Sequence, residues 1–346
     1  MTRRLRGGLI GCGFFSENHL HAWTGLDGVD LVAVCDVDRG KADAAAARFG
    51  VPAAFTDADA MLRTAALDFV DIVTTSPSHR ALVELAAAHG VAAKCQKPFA
   101  DTLEDARAMV DACDRAGVPL MVHENFRWQR PLRVMGEVVD SGALGRPNFA
   151  RFSFRHGYDN YANQPYLAQI ERFAIMDVGL HLFDLARRFL GEADSLFCRT
   201  QRLNPVVRGE DSFHATLRHA SGAVSICDCS FWTRWHPEPF PQVLAVIEGD
   251  EATVELSHDL RLRLHRAGGA TDLDAAPTVP PWGAAPWHVV QESVVATCAH
   301  WRDCLLTGAT PQPSGADNLQ TLALALAAYE SAAGDRALHR TAEGWA

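Results

Sequence analysis

Long apolar runs and an excess of positive charge are both missing from this sequence. Although 48% of its 346 residues are hydrophobic, no uninterrupted apolar stretch approaches the roughly 20 residues that a membrane-spanning helix needs. The 32 lysines and arginines are outnumbered by 42 aspartates and glutamates, which gives a net charge of −10. This balance argues against nucleic acid or a membrane as a partner, apart from a local basic patch. The chain is long enough for two globular domains.

A disulfide framework is not indicated either. The nine cysteines are odd in number, include no C-x-x-C pair and lie within apolar stretches. We therefore expect reduced, buried thiols and a cytoplasmic protein. Cys227 and Cys229 share one face of a predicted strand, and His19 and His21 lie two apart, but neither pair has further ligands at metal-binding spacing. Packing is the favoured interpretation of both pairs, and we expect no metal.

The first third of the chain alternates short β-rich segments with longer alanine-rich segments. The predicted strands cover residues 8–10, 31–35, 69–74, 92–95 and 119–123, and the predicted helices cover residues 39–49, 79–89 and 103–116. Regular alternation of strand and helix is typical of a parallel, doubly wound sheet. We expect an α/β dinucleotide-binding domain over residues 1–125.

After residue 125 the pattern becomes that of an α+β domain. A helix is predicted over 131–140, and alternating strands over 149–155, 195–200, 213–218, 224–231, 243–247 and 253–256, with hairpin turns at 219–222 and 248–250. Residues 268–286 are predicted to form a long loop, and helices are predicted over 288–306 and 317–333. We expect residues 126–346 to form a second domain, for substrate binding and oligomerisation, with a mainly antiparallel sheet.

A glycine-rich turn follows the first predicted strand and opens a helical segment. Gly11 permits the tight turn, Gly13 permits close approach of a pyrophosphate, and Ser16 is small enough for close packing of helix on strand. The residues of this turn that are expected to contact the cofactor are Gly11, Cys12, Gly13, Phe14 and Phe15. Asp36, at the end of the second strand, would accept hydrogen bonds from the adenosine ribose and repel a 2′-phosphate, which favours NAD over NADP. Arg39 is a counter-indication, because it could bind that phosphate.

Two further motifs carry side chains suited to acid–base chemistry. Lys97 follows the strand over 92–95, at the sheet edge where open α/β proteins bind ligands, and a lysine there can stabilise a developing alkoxide. Asp177 and His181 lie four apart, so in a helix they share one face. A carboxylate beside an imidazole fixes its tautomer and prepares it to act as a general base. A solvated lysine, a helix-capping aspartate and a packed histidine are the structural alternatives.

Together these motifs resemble the glucose–fructose oxidoreductase/inositol dehydrogenase/rhizopine-catabolism (Gfo/Idh/MocA) family. The matching segments, in order, are Gly11-x-Gly13, Asp36, Ser76-Pro77-Ser78-His79, Gln96-Lys97-Pro98 and Asp177-x-Gly179-x-His181-x-x-Asp184. The resemblance spans essentially the whole chain. It implies a Rossmann domain, then an open-faced mixed sheet, with the last helix packing near the Rossmann domain. It also implies NAD(P)-dependent oxidation of a sugar or polyol hydroxyl.

The resemblance assigns roles to particular residues. Lys97, Asp177 and His181 would form the catalytic group, and Ser76, His79, Gln96 and Lys97 would adjoin the cofactor. One residue departs from the family pattern, since Gln96 replaces the family's glutamate. Glutamine keeps the hydrogen-bonding shape without the charge, so we expect Lys97 to be held less strongly as a cation and the pH dependence to differ.

Four residues are candidates for lining a sugar pocket, namely Arg127, Tyr166, Arg172 and Trp287. Each has a structural alternative. Arg127 could anchor the junction between domains, and Tyr166 could pack within its loop. Arg172 could pair with Glu171 or Asp177, and Trp287 could cap the helix that follows it.

Within the family, residues 123–128 and 161–167 most resemble the D-apiose dehydrogenases, which implies oxidation of D-apiose to the lactone. An inositol or other aldose dehydrogenase, a redox-assisted glycosidase and a non-enzymatic NAD-dependent regulator remain open as alternatives. An open sheet with apolar residues on both faces needs a cover, so we expect a homodimer or homotetramer formed through that sheet.

Overall fold

The computed structural model describes residues 3–162 and 164–346, which divide into two compact units. The first unit extends to Asn125 and also includes Ser293–Leu322, and the second comprises Phe126–Glu292 and Ala323–Ala346. The sequence-based boundary at residue 125 coincides with the first junction, whereas residues 293–322, which the sequence assigned to the second domain, belong to the first unit. The reason is packing, because Val294, Cys298 and Trp301 are buried in the core of that unit.

The first unit contains a parallel sheet, as the sequence predicted, with six strands where five were predicted. Its strands are β1 (Leu5–Ile10), β2 (Val29–Cys35), β3 (Ala53–Phe55), β4 (Phe69–Ile72), β5 (Ala92–Gln96) and β6 (Leu120–His123), in the order β3-β2-β1-β4-β5-β6. All strand pairs in this sheet are parallel. Since β1, β4 and β5 are neighbours, the loops that follow them meet at one edge of the sheet. In doubly wound folds that edge binds the ligand.

Local capping explains why two helices begin where the sequence predicted. The helices are α1 (Ser16–Gly25), α2 (Arg39–Phe49), α3 (Ala58–Thr64), α4 (His79–Ala88) and α5 (Leu103–Ala116). The side chain of Asp38 accepts hydrogen bonds from the first turn of α2, and that of Thr102 accepts one from the first turn of α5. The three-residue β3 and the seven-residue α3 were not predicted, because so few residues show no periodicity.

The second unit contains a nine-stranded, mainly antiparallel sheet. Its strands are β7 (Pro147–Arg155), β8 (Ala193–Gln201), β9 (Ser212–His219), β10 (Val224–Ser230), β11 (Leu244–Gly249), β12 (Thr253–Leu256), β13 (Leu262–Arg266), β14 (Gly269–Leu273) and β15 (Leu338–His339). Their order is β14-β13-β12-β11-β7-β10-β9-β8-β15, and the β7–β10 pair is parallel. The predicted loop over 268–286 is therefore wrong at its start, because residues 269–273 pair with β13 as an edge strand.

One face of this sheet is covered by helix and the other is open. The helices of the remaining chain are α6 (Arg130–Asp140), α7 (Leu180–Leu190), α8 (His288–Thr307) and α9 (Gly315–Gly334). Along β9, Phe213, Ala215 and Leu217 are buried and the residues between them are exposed. This period of two places alternate side chains on opposite faces.

Within the described residues, no helix combines the length and apolar character needed to cross a membrane.

Candidate active site

The glycine turn after β1 has the geometry that a bound dinucleotide requires. Gly11 has a φ of +96°, and a Cβ added there would lie 2.7 Å from the Val73 carbonyl oxygen, so only glycine fits. A Cβ added to Gly13 would meet no atom within 4 Å. Open space beside Gly13, at the start of α1, leaves room for a phosphate close to the backbone. The hydroxyl of Ser16 donates to the Gly13 carbonyl (2.6 Å) and holds the turn on the helix.

Asp36 lies beside this turn and is fixed by backbone donors. Its Oδ2 accepts a hydrogen bond from the Cys12 N–H (2.7 Å), and its Oδ1 accepts one from the Asp38 N–H (2.9 Å). Each carboxylate oxygen has a second lone pair, so ribose hydroxyls can still donate to Asp36. Arg39 donates to Asp43 instead (2.9 Å), along the exposed side of α2. The residues at this turn therefore fit an adenosine ribose and a pyrophosphate.

The segment after β4 places Ser76 and His79 at the same sheet edge, beside the loop after β5. Ser76 is partly exposed and donates to Asp101 (2.6 Å). The His79 ring is fully buried, with Nδ1 3.2 Å from the Phe99 carbonyl oxygen and Nε2 3.1 Å from the Thr74 carbonyl oxygen. The expected contact between the His79 side chain and the cofactor is therefore not supported. Its ring holds the two loops together, a role that sequence spacing could not distinguish from ligand binding.

Gln96 and Lys97 follow at the end of β5. Gln96 is almost completely buried, and its Oε1 accepts a hydrogen bond from the Lys97 backbone N–H (2.7 Å). The first unit thus brings together at one edge of its sheet the glycine turn, Asp36, Ser76, Gln96 and Lys97, as the sequence led us to expect. How these residues contact a ligand stays a prediction.

Asp177 and His181 lie in the second unit, but not in one continuous α-helix. Asp177 belongs to a π-helical turn, Ile175–Gly179, and α7 begins at Leu180. Such single π turns are frequent at functional sites. Glu210 anchors the start of this turn, because one of its carboxylate oxygens accepts from the Ile175 N–H (3.1 Å) and from the Tyr329 hydroxyl (2.6 Å).

The His181 ring is held in place by stacking. It is 2% exposed and lies parallel to the Phe126 ring, with 3.7 Å between centroids and 4° between planes. One turn later on α7, Asp184 accepts two hydrogen bonds from Arg127 (2.7 and 2.5 Å). The short helix Phe126–Trp128 therefore contacts the start of α7 at two residues, His181 and Asp184. Stacking engages the ring faces and fixes the plane of the ring, so its nitrogens lie at the edge, away from Phe126.

The structure assigns Arg127 and Arg172 to contacts other than those expected. Arg127 is largely buried in its bidentate pair with Asp184, so it supports α7 instead of presenting its guanidinium to a sugar. The Arg172 guanidinium lies 5.3 Å from the centre of the Tyr329 ring, and Glu171 is instead 3.6 Å from Arg208. The partners of Arg127 and Arg172 are Asp184 and Tyr329, which are distant in sequence, so neither contact could be predicted from spacing.

Tyr166 and Trp287 remain suited to a pocket. Tyr166 is 57% exposed and donates to Gln164 (2.9 Å), while partial desolvation of its hydroxyl and the negative charge of Asp177 raise its pKa. Trp287 packs edge-on against Phe240 (5.1 Å between centroids) and Tyr158 (6.0 Å). Asn163, part of the motif that contains Tyr166, lies outside the described residues.

Sequence reasoning missed His156, which lies directly after β7. It is 1% exposed, and its ring centroid lies 4.7 Å from Phe240, 4.8 Å from Phe231 and 5.1 Å from Phe154. Burial lowers its pKa to about 4, against the opposing effect of Asp177. The negative charge of Asp177 therefore acts to raise the pKa of both His156 and Tyr166. Period-two alternation through Phe152 and Phe154 would have placed His156 on the buried face.

We expect the stability of the protein to fall on acidification because of His156. Its pKa in the folded state, about 4, is below its ordinary value of 6.5, so the unfolded chain binds the proton more tightly. The contribution of neutral His156 to the free energy of unfolding is therefore present above pH 6.5 and is lost as the pH falls towards 4. Between pH 7 and pH 5 the free energy of unfolding falls by about 2 kcal/mol from this cause. Urea unfolding at the two pH values should show that the free energy of unfolding falls less in His156→Phe than in the wild type, by about 2 kcal/mol. Equal losses in the two proteins would contradict this interpretation.

Comparison with known proteins shows the family to which the chain belongs. Two models match, one for the Gfo/Idh/MocA oxidoreductases with an NAD-binding Rossmann fold over residues 5–124, the other for the Gfo/Idh/MocA C-terminal domain over residues 132–255. The chain is 52% identical over 331 residues to a D-apiose dehydrogenase of Paraburkholderia graminis, covering 96% of this chain and 88% of that protein. It is 50% identical over 332 residues to a D-apiose dehydrogenase of Rhizobium rhizogenes, covering 96% of each.

A solved structure is similar over nearly its whole length. It is that of an oxidoreductase from Agrobacterium radiobacter in complex with NAD+, L-tartaric acid and magnesium. The two chains are 49% identical, with a TM-score of 0.95, and the match covers 97% of this chain and 98% of the other. The fold is therefore shared.

Proposed function

Because the chain belongs to the Gfo/Idh/MocA family and is an NAD-binding oxidoreductase that acts on a sugar CH–OH group, we propose that its substrate is D-apiose, oxidised to the lactone. The observation that carries this proposal is the extent of the likeness to two D-apiose dehydrogenases. About half of the residues are identical over 96% of the chain, so the likeness includes both sheets and the loops that carry the proposed site.

His181 is proposed as the general base. It would accept the proton of the reacting hydroxyl, and Asp177 would orient the imidazole and stabilise its protonated form. The parallel contact with Phe126 supports this role, because it holds the ring in one plane and leaves the nitrogens at its edge to make directional contacts. The neighbouring pair between Arg127 and Asp184 fixes the helical turn that carries the histidine.

Lys97 is proposed to donate a hydrogen bond to the same substrate oxygen and to stabilise the charge that develops on it. Its place after β5, at the carboxyl edge of a parallel sheet, supports this role. The nicotinamide, when bound, supplies the hydride acceptor. Of the residues suggested for the sugar pocket, Tyr166 and Trp287 are retained, Arg172 is proposed only as a flank of that pocket, and Arg127 is withdrawn.

Binding of the cofactor is proposed to involve the turn over residues 11–15, with Asp36, Ser76, Gln96 and Lys97. We propose a preference for NAD over NADP, because Asp36 is fixed beside the turn with its negative charge where a 2′-phosphate would have to lie. Arg39 does not offset that charge from its position on α2, since it is paired with Asp43.

We also propose a cytoplasmic homodimer or homotetramer that associates through the open face of the nine-stranded sheet. Nine free cysteines, all buried except Cys12, are compatible with a reducing compartment. Trp235 is about half exposed and lines a shallow hollow on this sheet beside Arg151, Arg155 and Leu244. A partly apolar sheet surface of this kind favours association between copies.

A panel of sugars and polyols, assayed by NADH absorbance with NAD and NADP in parallel, tests the proposal. We expect the highest kcat/KM with D-apiose and NAD, ahead of myo-inositol and the common aldoses. Higher activity on inositol or another aldose would overturn the assignment of the substrate. Cleavage of a glycoside without net NADH formation would indicate a redox-assisted glycosidase, and cofactor binding without any turnover would indicate a regulator.

A further inference from the structure

A polar cluster lies buried beneath the end of β5 in the first unit. It consists of His19 on α1, Asp71 on β4 and Lys94 on β5, all of them 0% exposed. A single oxygen of Asp71, Oδ2, accepts hydrogen bonds from His19 Nδ1 (2.7 Å) and Lys94 Nζ (2.9 Å), and also from Trp23 Nε1 (2.6 Å). Burying such groups is costly unless they are paired, so this cluster is a strongly constrained part of the core.

The contacts determine where the proton of His19 resides. Asp71 and Lys94 form a buried ion pair, in which burial opposes ionisation of the carboxyl but Lys94 and then His19 lower its pKa below the usual range. Burial lowers the pKa of His19; the negative charge of Asp71 opposes this effect, the positive charge of Lys94 adds to it, and the net shift is downward. His19 is therefore neutral. Its Nδ1 lies 2.7 Å from Asp71 Oδ2 and 3.4 Å from Lys94 Nζ, and the shorter contact, with the carboxylate, places the proton on Nδ1. Nε2 is consequently a hydrogen-bond acceptor.

The acceptor nitrogen faces Gln96. His19 Nε2 lies 3.3 Å from the amide nitrogen of Gln96, and the amide oxygen of Gln96 accepts from the Lys97 backbone N–H at 2.7 Å. A flipped amide would place its oxygen against the lone pair of His19 and its NH2 group against the Lys97 N–H. Both contacts would then be repulsive, and so the tautomer of His19 selects one orientation of Gln96.

The other groups around His19 leave this assignment unchanged. The ring of His123 packs against it, with 4.4 Å between centroids, and Phe15 contacts its edge at 5.5 Å. Cys298 on α8 lies 3.3 Å from Lys94 Nζ, and burial raises the pKa of its thiol to about 12, so it is uncharged. His19, Asp71 and Cys298 could in principle ligate a metal, but the Lys94 ammonium already contacts all three, at 3.4, 2.9 and 3.3 Å, and supplies the cation.

We propose that His19 is a positioning residue for Lys97: it accepts a hydrogen bond from the Gln96 amide and so keeps the Gln96 oxygen on the Lys97 backbone N–H. The proposal rests on the proposed catalytic role of Lys97. It explains why an uncharged side chain at position 96 suits this structure, because an amide can donate to His19 and accept from the Lys97 peptide at the same time. A carboxylate there would have to share an additional proton with His19.

A set of variants tests this chain of contacts through kinetics. His19→Leu and Gln96→Met are each expected to lower kcat roughly tenfold, the size of one lost hydrogen bond at the site. The Kd for NADH should be nearly unchanged in His19→Leu, whereas it should rise in Gln96→Met, because Gln96 is also proposed to adjoin the cofactor. If His19 acts only through Gln96, the double variant should be no slower than Gln96→Met alone. Trp23→Phe is the matched control, since it removes a hydrogen bond to the same Asp71 oxygen without touching Gln96. It should lower the melting temperature and retain kcat.

A spectroscopic measurement tests the same contacts independently of turnover. In protein with ¹⁵N-labelled histidine, the resonance that is absent from His19→Leu should be that of a neutral, Nδ1-protonated ring. Gln96→Glu should convert it to a ring protonated on both nitrogens near neutral pH. If His19→Leu does not fold, the wild type and Gln96→Glu still give this comparison. An unchanged His19 spectrum in Gln96→Glu would overturn the proposal, as would additive losses of kcat in the double variant.

The two readouts also separate this proposal from the proposed function. If the wild type oxidises no sugar, the proposed function fails while the tautomer of His19 can still be measured. If sugars are oxidised but Trp23→Phe slows turnover as much as His19→Leu does, the cluster acts only through stability, and the positioning role is wrong.

Discussion

His181→Ala is expected to lose roughly 10²–10⁴-fold in kcat, the usual cost of removing a general base, while NADH still binds. The reason is that no other titratable side chain is proposed to take the proton of the substrate hydroxyl. Single-turnover hydride transfer, followed by NADH absorbance after mixing with D-apiose, measures the chemical step directly. NADH titration by fluorescence measures binding separately.

The stacking of His181 on Phe126 suggests a variant that separates an effect on catalysis from an effect on stability. Removal of the ring in His181→Ala leaves a cavity beside Phe126, which would lower stability for reasons unrelated to catalysis. His181→Phe keeps an aromatic ring against Phe126 but cannot accept a proton. It should be as inactive as His181→Ala and more stable. Hydride transfer near the wild-type rate in His181→Phe would exclude His181 as the base, whereas His265→Phe on β13 should leave kcat unchanged.

Lys97→Met is expected to lower kcat by roughly 10²–10³-fold, in the range seen when one donor to a developing oxyanion is removed. Methionine preserves the length and much of the volume of the side chain but cannot donate a hydrogen bond. The Kd for NADH should stay close to that of the wild type, because the backbone contact from Lys97 to Gln96 is independent of the side chain. Stopped-flow measurement of hydride transfer, with NADH binding in parallel, is the appropriate test.

Lys41→Met is the matched control for this prediction, because Lys41 is exposed on α2 and no role at the site is assigned to it. We expect its kcat to match the wild type. If Lys97→Met retained full turnover, the residue would be a solvated surface lysine, which is the structural alternative that its sequence position allowed. A loss of NADH binding without a loss in the rate of hydride transfer would reassign Lys97 to the cofactor alone.

The parts of the fold that sequence predicted well are those with local physical causes. The bounds of α2 and α5 agree because Asp38 and Thr102 cap their starts, while Gly50 and Gly117 adopt left-handed conformations at their ends. The turn at Gly11 was identifiable because a positive φ there tolerates only glycine. Errors fell on β3, β13 and β14, because short strands owe their pairing to neighbours that are distant in sequence.

The sequence predicts a chemistry for the site but not its contacts. The motifs identified Lys97, Asp177 and His181 by residue type and spacing. They did not indicate the π turn around Asp177, the stacking of Phe126 on His181, or the bidentate pair that engages Arg127. His79 and His156 were misjudged or missed for one reason: whether an imidazole faces a ligand or the core depends on what packs around it.

Sequence alone determined that this chain has a dinucleotide-binding α/β half and a mainly antiparallel second half. Those conclusions follow from local rules, since periodicity, capping and glycine conformations act within a few residues. The resemblance to a family adds the prediction of a lysine–aspartate–histidine set for oxidising a hydroxyl. Only the tertiary structure decided that Val294–Trp301 belongs to the first core, that Arg127 supports α7, and that His19, Asp71 and Lys94 meet beneath Gln96. Each of these depends on long-range packing in a water-poor interior, where the partners of a polar group decide its charge and its role.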